Sequence, residues 1–284
     1  MPVLDTAFEL ARARRARVVF PEIEDPRVAE ACDTLRREGL AEPLAPADPT
    51  EAHVEALIAA RGMKEAIARR MLAKPLFRAA AMVAAGDADA MVAGVEFPTR
   101  RVIEAASICI GLAEGVSTPS SFFVMLFPDG REIIFADCGA NVAPDAEELA
   151  DIARASAASA QALMGFAKVA LLSFSTGTSG AGNSVETVRT AANATGFLGP
   201  IQGDAALNPA IAARKGVDGG DANVLIFPSL DAGNIAYKLC QELAGAQALG
   251  PHLQGFRRPV CDLSRGASAT DIVAATAVTI ALDK

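Results

Sequence analysis

Residues 222–238 read Ala222-Asn223-Val224-Leu225-Ile226-Phe227-Pro228-Ser229-Leu230-Asp231-Ala232-Gly233-Asn234-Ile235-Ala236-Tyr237-Lys238. The apolar run from Val224 to Phe227 suits a buried strand and is too short for a helix. Pro228 and Ser229 mark a turn, and a helical pattern follows over Ala232–Ala244. Asn234 and Lys238 stand four residues apart on one face of that helix, which is either solvated surface or the wall of a cleft.

The same strand-then-helix pattern recurs along the chain. Strands are predicted at Arg17–Ile23, Ala90–Gly94, Ser120–Phe127, Arg131–Asp137, Lys168–Phe174, Ala222–Phe227 and Pro259–Leu263. Helices are predicted at Pro26–Glu38, Lys64–Ala85, Ala146–Met164, Ser184–Ala194, Ala232–Ala244 and Asp271–Leu282. This alternation points to an α/β fold with largely parallel strands. Phe127-Pro128-Asp129-Gly130-Arg131 is a turn signal between two apolar runs, so those two strands are expected to form an antiparallel hairpin. Pro43–Pro49 and Gly216–Asp221 read as loops, and Pro251–Pro259 as a crossover between lobes.

Composition narrows the function classes. The chain has 284 residues, enough for one large domain or two smaller ones. Much of its 51% apolar content is alanine, with one tyrosine and no tryptophan, which suits helices packed on sheets better than a β-sandwich. A net charge of −8 argues against a broad nucleic-acid or membrane surface, but leaves room for a local basic pocket. The five cysteines, Cys32, Cys109, Cys138, Cys240 and Cys261, form no CxxC pair and read as free, mostly buried thiols in a reducing cytosol. Only His53 and His252 are present, which argues against a zinc site or a Ser–His–Asp triad. The N-terminus lacks the apolar core of a signal peptide, and no apolar run reaches membrane-spanning length without a charge. A cytoplasmic protein is expected, with neither nucleic acid nor membrane as partner.

Three segments carry candidate chemistry. Ser173-Phe174-Ser175-Thr176-Gly177-Thr178-Ser179-Gly180-Ala181-Gly182-Asn183-Ser184 follows a strand and opens a helix. Its glycines allow close backbone approach, and hydroxyls and amides at a helix N-terminus bind phosphate oxygens. The alternative is a flexible loop that caps the helix, and Asn183 with Glu186 has capping-box-like spacing. Its Walker-A spacing carries Asn183 where a P-loop has lysine, which argues against a nucleoside triphosphatase. Phe135-Ala136-Asp137-Cys138 ends a strand, where α/β proteins build sites, although a small core cysteine is the simpler reading of Cys138. Last, Asp262-Leu263-Ser264-Arg265-Gly266-Ala267-Ser268-Ala269-Thr270-Asp271 places a hydroxyl, a guanidinium and a carboxylate within eight residues. Asp271 in the first turn of the last helix is either a cap favoured by the macrodipole or a base facing one cavity with Ser264.

This last stretch resembles the C-terminal signature of the phosphate acetyl/butyryl transferase family. Further resemblances run in order along the chain. They are Val19-Phe20-Pro21-Glu22-Ile23-Glu24-Asp25-Pro26-Arg27, Gly86–Gly94, Phe135–Cys138, Ser175–Gly180, Gln202–Leu207, Ala222–Lys238 and Gly250–Gly266. The resemblance implies a two-lobed, three-layer α/β/α fold like that of isocitrate and isopropylmalate dehydrogenases. The first lobe is expected at 1–128 with 258–284, the second at 129–257. It also implies a homodimer and a phosphate acetyltransferase reaction, with coenzyme A and acetyl phosphate as substrates and no permanently bound cofactor or metal. By the same resemblance Asp271 takes the thiol proton, and Ser264 hydrogen-bonds the reacting thiol or carbonyl. Arg265 and the loop residues Ser175, Thr176, Gly177, Thr178 and Ser179 hold the phosphate, and Arg61 contacts coenzyme A. The chemistry is coherent. A thiol with a pKa near ~8.5 needs a base, and an acyl phosphate is already activated.

One segment departs from the family. Where a His-Ser/Thr-Thr stretch and then Leu-Arg-Pro are usual, this chain has Phe97 in the histidine's place and Glu104 in the arginine's. Two like charges ~6 Å apart at an effective dielectric of ~20 repel by about 3 kcal/mol, so a bare Glu104 in the site would weaken acyl phosphate binding. Arg100 and Arg101, one turn earlier, are the candidate replacements. Otherwise the substrate is propionyl or butyryl phosphate, or the chain is a catalytically weak relative that binds acyl-coenzyme A or phosphate.

Overall fold

The computed structural model describes residues 2–283. The chain forms two compact units, Pro2–Gly115 together with the segment from Gly250 onward, and Val116–Leu249.

The first unit contains α1 (Pro2–Arg14), β1 (Arg17–Val19), α2 (Pro26–Arg37), β2 (Glu42–Leu44), α3 (Glu51–Arg61), α4 (Glu65–Leu72), α5 (Pro75–Ala85), β3 (Ala90–Ala93) and α6 (Thr99–Ala105), which runs into a π-helical turn, Ala106–Ile110. The second contains β4 (Ser120–Leu126), β5 (Glu132–Ala136), α7 (Ala146–Met164), β6 (Val169–Leu172), α8 (Asn183–Thr195), β7 (Leu198–Ile201), α9 (Gly203–Leu207), α10 (Pro209–Lys215), β8 (Val224–Ile226) and α11 (Leu230–Ala244). The chain then returns through β9 (Gln247–Gln254) to β10 (Val260–Asp262) and α12 (Ala269–Ala281).

In the first unit the strand order is β2-β1-β3-β10, all parallel, with β9 antiparallel to β10. Side chains alternate across the sheet. Val19, Met91, Ala93 and Val260 therefore join α3, α4, α5 and α6 in one core, while α12 lies on β3 and β10 and packs on α1 and α2. In the second unit β4 and β5 form the expected hairpin, with Phe123 opposite Phe135, and β5-β8-β6-β7 are parallel. Phe123, Phe135, Leu172 and Leu225 form a core that includes residues of α9 and α11, while α7 and α8 lie against the strands as well. Each unit is thus helix, sheet, helix.

All seven expected strands are present. The three that sequence reading misses, β2, β7 and β9, each contain a proline, Pro43, Pro200 and Pro251. Proline lowers strand propensity but is tolerated where its missing N–H is not needed, and β2 and β7 are edge strands. Residues read as loop at Pro43–Pro49 and as crossover at Pro251–Pro259 are thus in part strand. The helix expected over Lys64–Ala85 is two helices, because Pro75 cannot donate to a continuous ladder and instead opens α5. The units divide earlier than the expected 128/129 and 257/258. The β4–β5 ladder keeps both hairpin strands in one unit, and Leu253 and His252 pair with β10 in the other.

Helix ends follow local chemistry. Asp145 caps α7, accepting from the amides of Glu147 and Glu148 at 2.9 Å each, and Glu148 returns a bond to the Asp145 amide. In α11, Gly233 permits a close approach. A Cβ there would lie 2.4 Å from the carbonyl oxygen of Asp137.

Candidate active site

Parallel α/β sheets build sites at the carboxyl ends of their strands. In the first unit the loops leaving β1, β3 and β10 emerge from neighbouring parallel strands at one end.

The loop after β1 brings Glu22, which is 6% exposed. Its Oε2 accepts from the amides of Gly94 (2.8 Å) and Val95 (3.3 Å), and its Oε1 from those of Glu96 (2.7 Å) and Phe97 (2.8 Å). The loop after β3 is therefore wrapped around one carboxylate. Gly94 sits at φ +113°, and a Cβ there would meet Asp262 Oδ1 and the Leu263 amide at 2.5 Å. Where this loop enters α6, Thr99 donates to Asp262 Oδ2 at 2.6 Å, at the end of β10. Asp262 is 1% exposed, and its Oδ1 has no hydrogen-bond partner among the described residues. Burial pushes its pKa up to about 7. The nearby Glu22 charge adds to the rise, while the Thr99 bond and Arg265 oppose it.

Beyond Asp262 the chain turns. Ser264, Arg265 and Gly266 are exposed. The Ser264 hydroxyl oxygen accepts from the Gly266 amide at 3.3 Å, which leaves its hydrogen able to donate. Ser268 caps α12. Asp271 Oδ2 accepts from the Ser268 amide at 3.0 Å and hydroxyl at 2.7 Å, and the Asp271 amide donates back to Ser268 Oγ at 3.2 Å. The cap reading of Asp271 is thus realised. The same bonds fix its half-buried carboxylate at the positive end of α12, six residues beyond Arg265.

Arg61 ends α3 and is exposed. Its Nε donates to the Ile108 carbonyl at 3.0 Å, and its guanidinium also bonds the Ser107 carbonyl, so it ties α3 to the π-helical turn. On α6, Arg101 Nη1 donates to Glu104 Oε2 at 2.6 Å. Arg101 is therefore engaged with the carboxylate it was expected to offset. Arg100 is exposed and has no carboxylate partner among the described residues.

The second unit holds the hydroxyl-rich loop, after β6. Ser175 Oγ accepts from the Gly180 amide at 2.8 Å, and Ser179 Oγ from the Thr176 amide at 2.9 Å. Thr176 Oγ1 exchanges bonds with Gln202 at 3.1 Å, and the Gly177 amide donates to the Pro200 carbonyl at 2.9 Å. Of the five loop residues expected to hold phosphate, Thr178 alone has a hydroxyl uncommitted among the described residues. The others shape the loop. Asn183 does not form the expected capping box, because Gly182 is the N-cap and offers no side chain. Asn234 proves structural, donating to the Cys138 carbonyl at 3.2 Å. Cys138 is fully buried, with its thiol pKa pushed up by burial.

Sequence reading assigned no role to Glu22, Asp25, Arg27 or Asp262. A carboxylate at or just beyond the end of a buried apolar strand is the signal for both Asp262 and Glu22, since burial there requires partners.

An α/β chain with a serine, an arginine and a carboxylate beyond one strand, and a hydroxyl-lined loop beyond another, has the groups of a group-transfer enzyme that handles anions. The sequence matches the family model described as phosphate acetyl/butaryl transferase over residues 45–280. It is 41% identical to the phosphate acetyltransferase of Paracoccus denitrificans, with 98% of each chain covered. It is 35% identical to that of Clostridium acetobutylicum, with 99% of this chain and 98% of the other covered. The crystal structure of a phosphotransacetylase from Streptococcus pyogenes superposes with a TM-score of 0.92 at 34% identity, covering 98% of this chain and 97% of that one. The chain belongs to the phosphate acetyl/butaryl transferase family and has its fold. No helix among the described residues is long and apolar enough to cross a membrane, and no metal-binding cluster of His, Cys, Asp or Glu occurs among them.

The buried Asp262 gives a pH prediction. The folded chain holds this proton up to about pH 7, whereas the unfolded chain releases it near 3.8. Between those values the unfolded state binds fewer protons, so this group's contribution to stability falls as pH rises, by up to about 1.4 kcal/mol per unit. Asp262→Asn removes that slope. Denaturant unfolding at pH 4.5, 6 and 8 is expected to show wild type losing stability relative to the variant as pH rises. A difference independent of pH refutes the assignment.

Proposed function

We propose that this chain catalyses reversible transfer of an acetyl group between acetyl phosphate and coenzyme A. The observation that carries the reading is the Ser264, Arg265 and Asp271 set beyond β10 in a chain of this family. In the forward direction Asp271 takes the proton of the coenzyme A thiol. The thiolate sulfur bonds to the acetyl carbon, the bond from that carbon to the phosphate oxygen breaks, and phosphate leaves. The Ser264 hydroxyl donates to the carbonyl oxygen or orients the sulfur. Arg265, whose guanidinium suits bidentate contact with phosphate oxygens, holds the leaving group. Thr178, Gly177 and the hydroxyl-rich loop around them are assigned to phosphate, and Arg61 and Ser264 to coenzyme A. Reaction requires positioning and proton removal, which these groups supply.

The Arg101–Glu104 pair bears on substrate choice. A paired carboxylate lacks most of the repulsion of a bare one, so Glu104 does not by itself favour the weakly catalytic or longer-acyl readings. We assign Arg100 as the acyl phosphate contact that replaces the missing arginine. The homodimer expected for the family has a face to form on. Ile235, Leu239 and Leu243 recur every four residues on α11 and are exposed. A cytoplasmic location fits five free thiols and a coenzyme A substrate.

Two variants test these assignments. Asp271→Asn keeps the shape and cannot take the proton. Acetyl-coenzyme A formation is expected to drop roughly 10²–10⁴-fold in kcat with the fold retained. Near-wild-type turnover would leave Asp271 only a helix cap. Arg100→Ala is expected to raise the KM for acetyl phosphate about tenfold, the usual worth of a hydrogen bond to a charged group. An unchanged KM removes α6 from the site.

A further inference from the structure

The Ser264–Ala267 turn carries two of the side chains assigned to the reaction, yet it is mostly exposed and contains Gly266. Inside the turn, the Ala267 amide donates to the Ser264 carbonyl at 2.9 Å and the Gly266 amide to Ser264 Oγ at 3.3 Å. Among the described residues, the only side chain from elsewhere in the chain that hydrogen-bonds to residues 264–267 is Arg27. Its Nη1 donates to the Arg265 carbonyl at 2.7 Å and to the Ala267 carbonyl at 3.3 Å. These two carbonyls flank Gly266.

Arg27 is itself fixed. Asp25 grips it bidentately, Oδ1 accepting from Nε at 3.0 Å and Oδ2 from Nη2 at 2.8 Å. Asp25 is in turn the N-cap of α2, accepting from the Arg27 amide at 2.8 Å, with Pro26 in the first helical position. The Arg27 fork lowers the Asp25 pKa below the ordinary carboxylate range, so the pair stays ionised at neutral pH. Arg27 uses three nitrogens of its planar fork to grip both oxygens of one carboxylate and two carbonyls, a set that the three donors of a single ammonium nitrogen cannot reproduce.

We propose that Arg27, held by Asp25, is a positioning residue for acetyl transfer. By pinning the carbonyls on either side of Gly266 it sets the direction in which Ser264 and Arg265 leave the turn. The inference rests on the acetyltransferase reading above. A reacting group displaced by about 1 Å can lose roughly a hundredfold in rate, so the clamp matters without touching substrate.

The test uses the full chain with acetyl phosphate and coenzyme A. Arg27→Gln is expected to lower kcat about tenfold to a hundredfold, with the KM for coenzyme A nearly unchanged and the thermal midpoint within a few degrees of wild type. Asp25→Asn keeps a good N-cap and loses the bidentate grip, so it is expected to show the same kcat loss. Arg27→Lys is expected not to rescue. In an Arg265→Ala background the Arg27→Gln change is expected to cost markedly less than in wild type. Retained kcat in Arg27→Gln, a loss confined to KM, or equal losses in both backgrounds overturns the inference, the last because Arg27 then acts on substrate directly. An inactive wild type overturns the acetyltransferase reading, and with it any role of Arg27 in that reaction.

Discussion

The first unit depends on a single buried carboxylate. Glu22 leaves β1 and enters a place where an ion without partners would not be tolerated. Four consecutive amides, those of Gly94, Val95, Glu96 and Phe97, supply the partners. The need is mutual. Those amides lie just beyond the end of β3, where ladder bonding stops, and burial of unpaired N–H groups costs about 1–3 kcal/mol each. The path of the loop is therefore dictated by the carboxylate, and its first residue must be glycine to avoid the Asp262 side chain and the Leu263 backbone just past β10. Thr99 then binds Asp262, and the turn bearing Ser264 and Arg265 begins two residues later. Three strand ends become one framework through two carboxylates.

The α/β class and the main elements were legible because buried parallel strands read as short apolar runs bounded by turn residues. The strands that escaped notice, β2, β7 and β9, carry prolines, whose tolerance depends on which N–H groups the neighbouring strand needs. That is a tertiary fact. The break at Pro75 was legible in principle, since proline cannot continue a helix, but the alanine-rich pattern on both sides conceals it.

Among the proposed site residues, Ser264, Arg265 and Asp271 were readable as a cluster because they are close in sequence, between the end of β10 and the first turn of α12. Glu22 and Asp262 were not, because their partners lie 72 and 163 residues away along the chain. The hydroxyl-rich loop shows the opposite limit. Its composition suggests many phosphate contacts, yet Ser175 and Ser179 accept bonds from within the loop and Thr176 one from Gln202, which leaves the Thr178 hydroxyl uncommitted among the described residues. Composition records which donors a loop has, while geometry decides which remain available. The Arg101–Glu104 pair shows the same principle for charge. A carboxylate that looks disruptive in sequence is matched by an arginine one helical turn away.

The most direct measurement of this account is amide hydrogen exchange at Gly94–Phe97 in Glu22→Gln, read beside its rate of acetyl-coenzyme A formation. A carboxamide presents one acceptor oxygen, and its NH2 group faces donors, so two of the four amides lose their partner. The account predicts faster exchange across these four residues, retained secondary structure by circular dichroism, and turnover reduced by about tenfold or more. Protection and turnover both like wild type would contradict it.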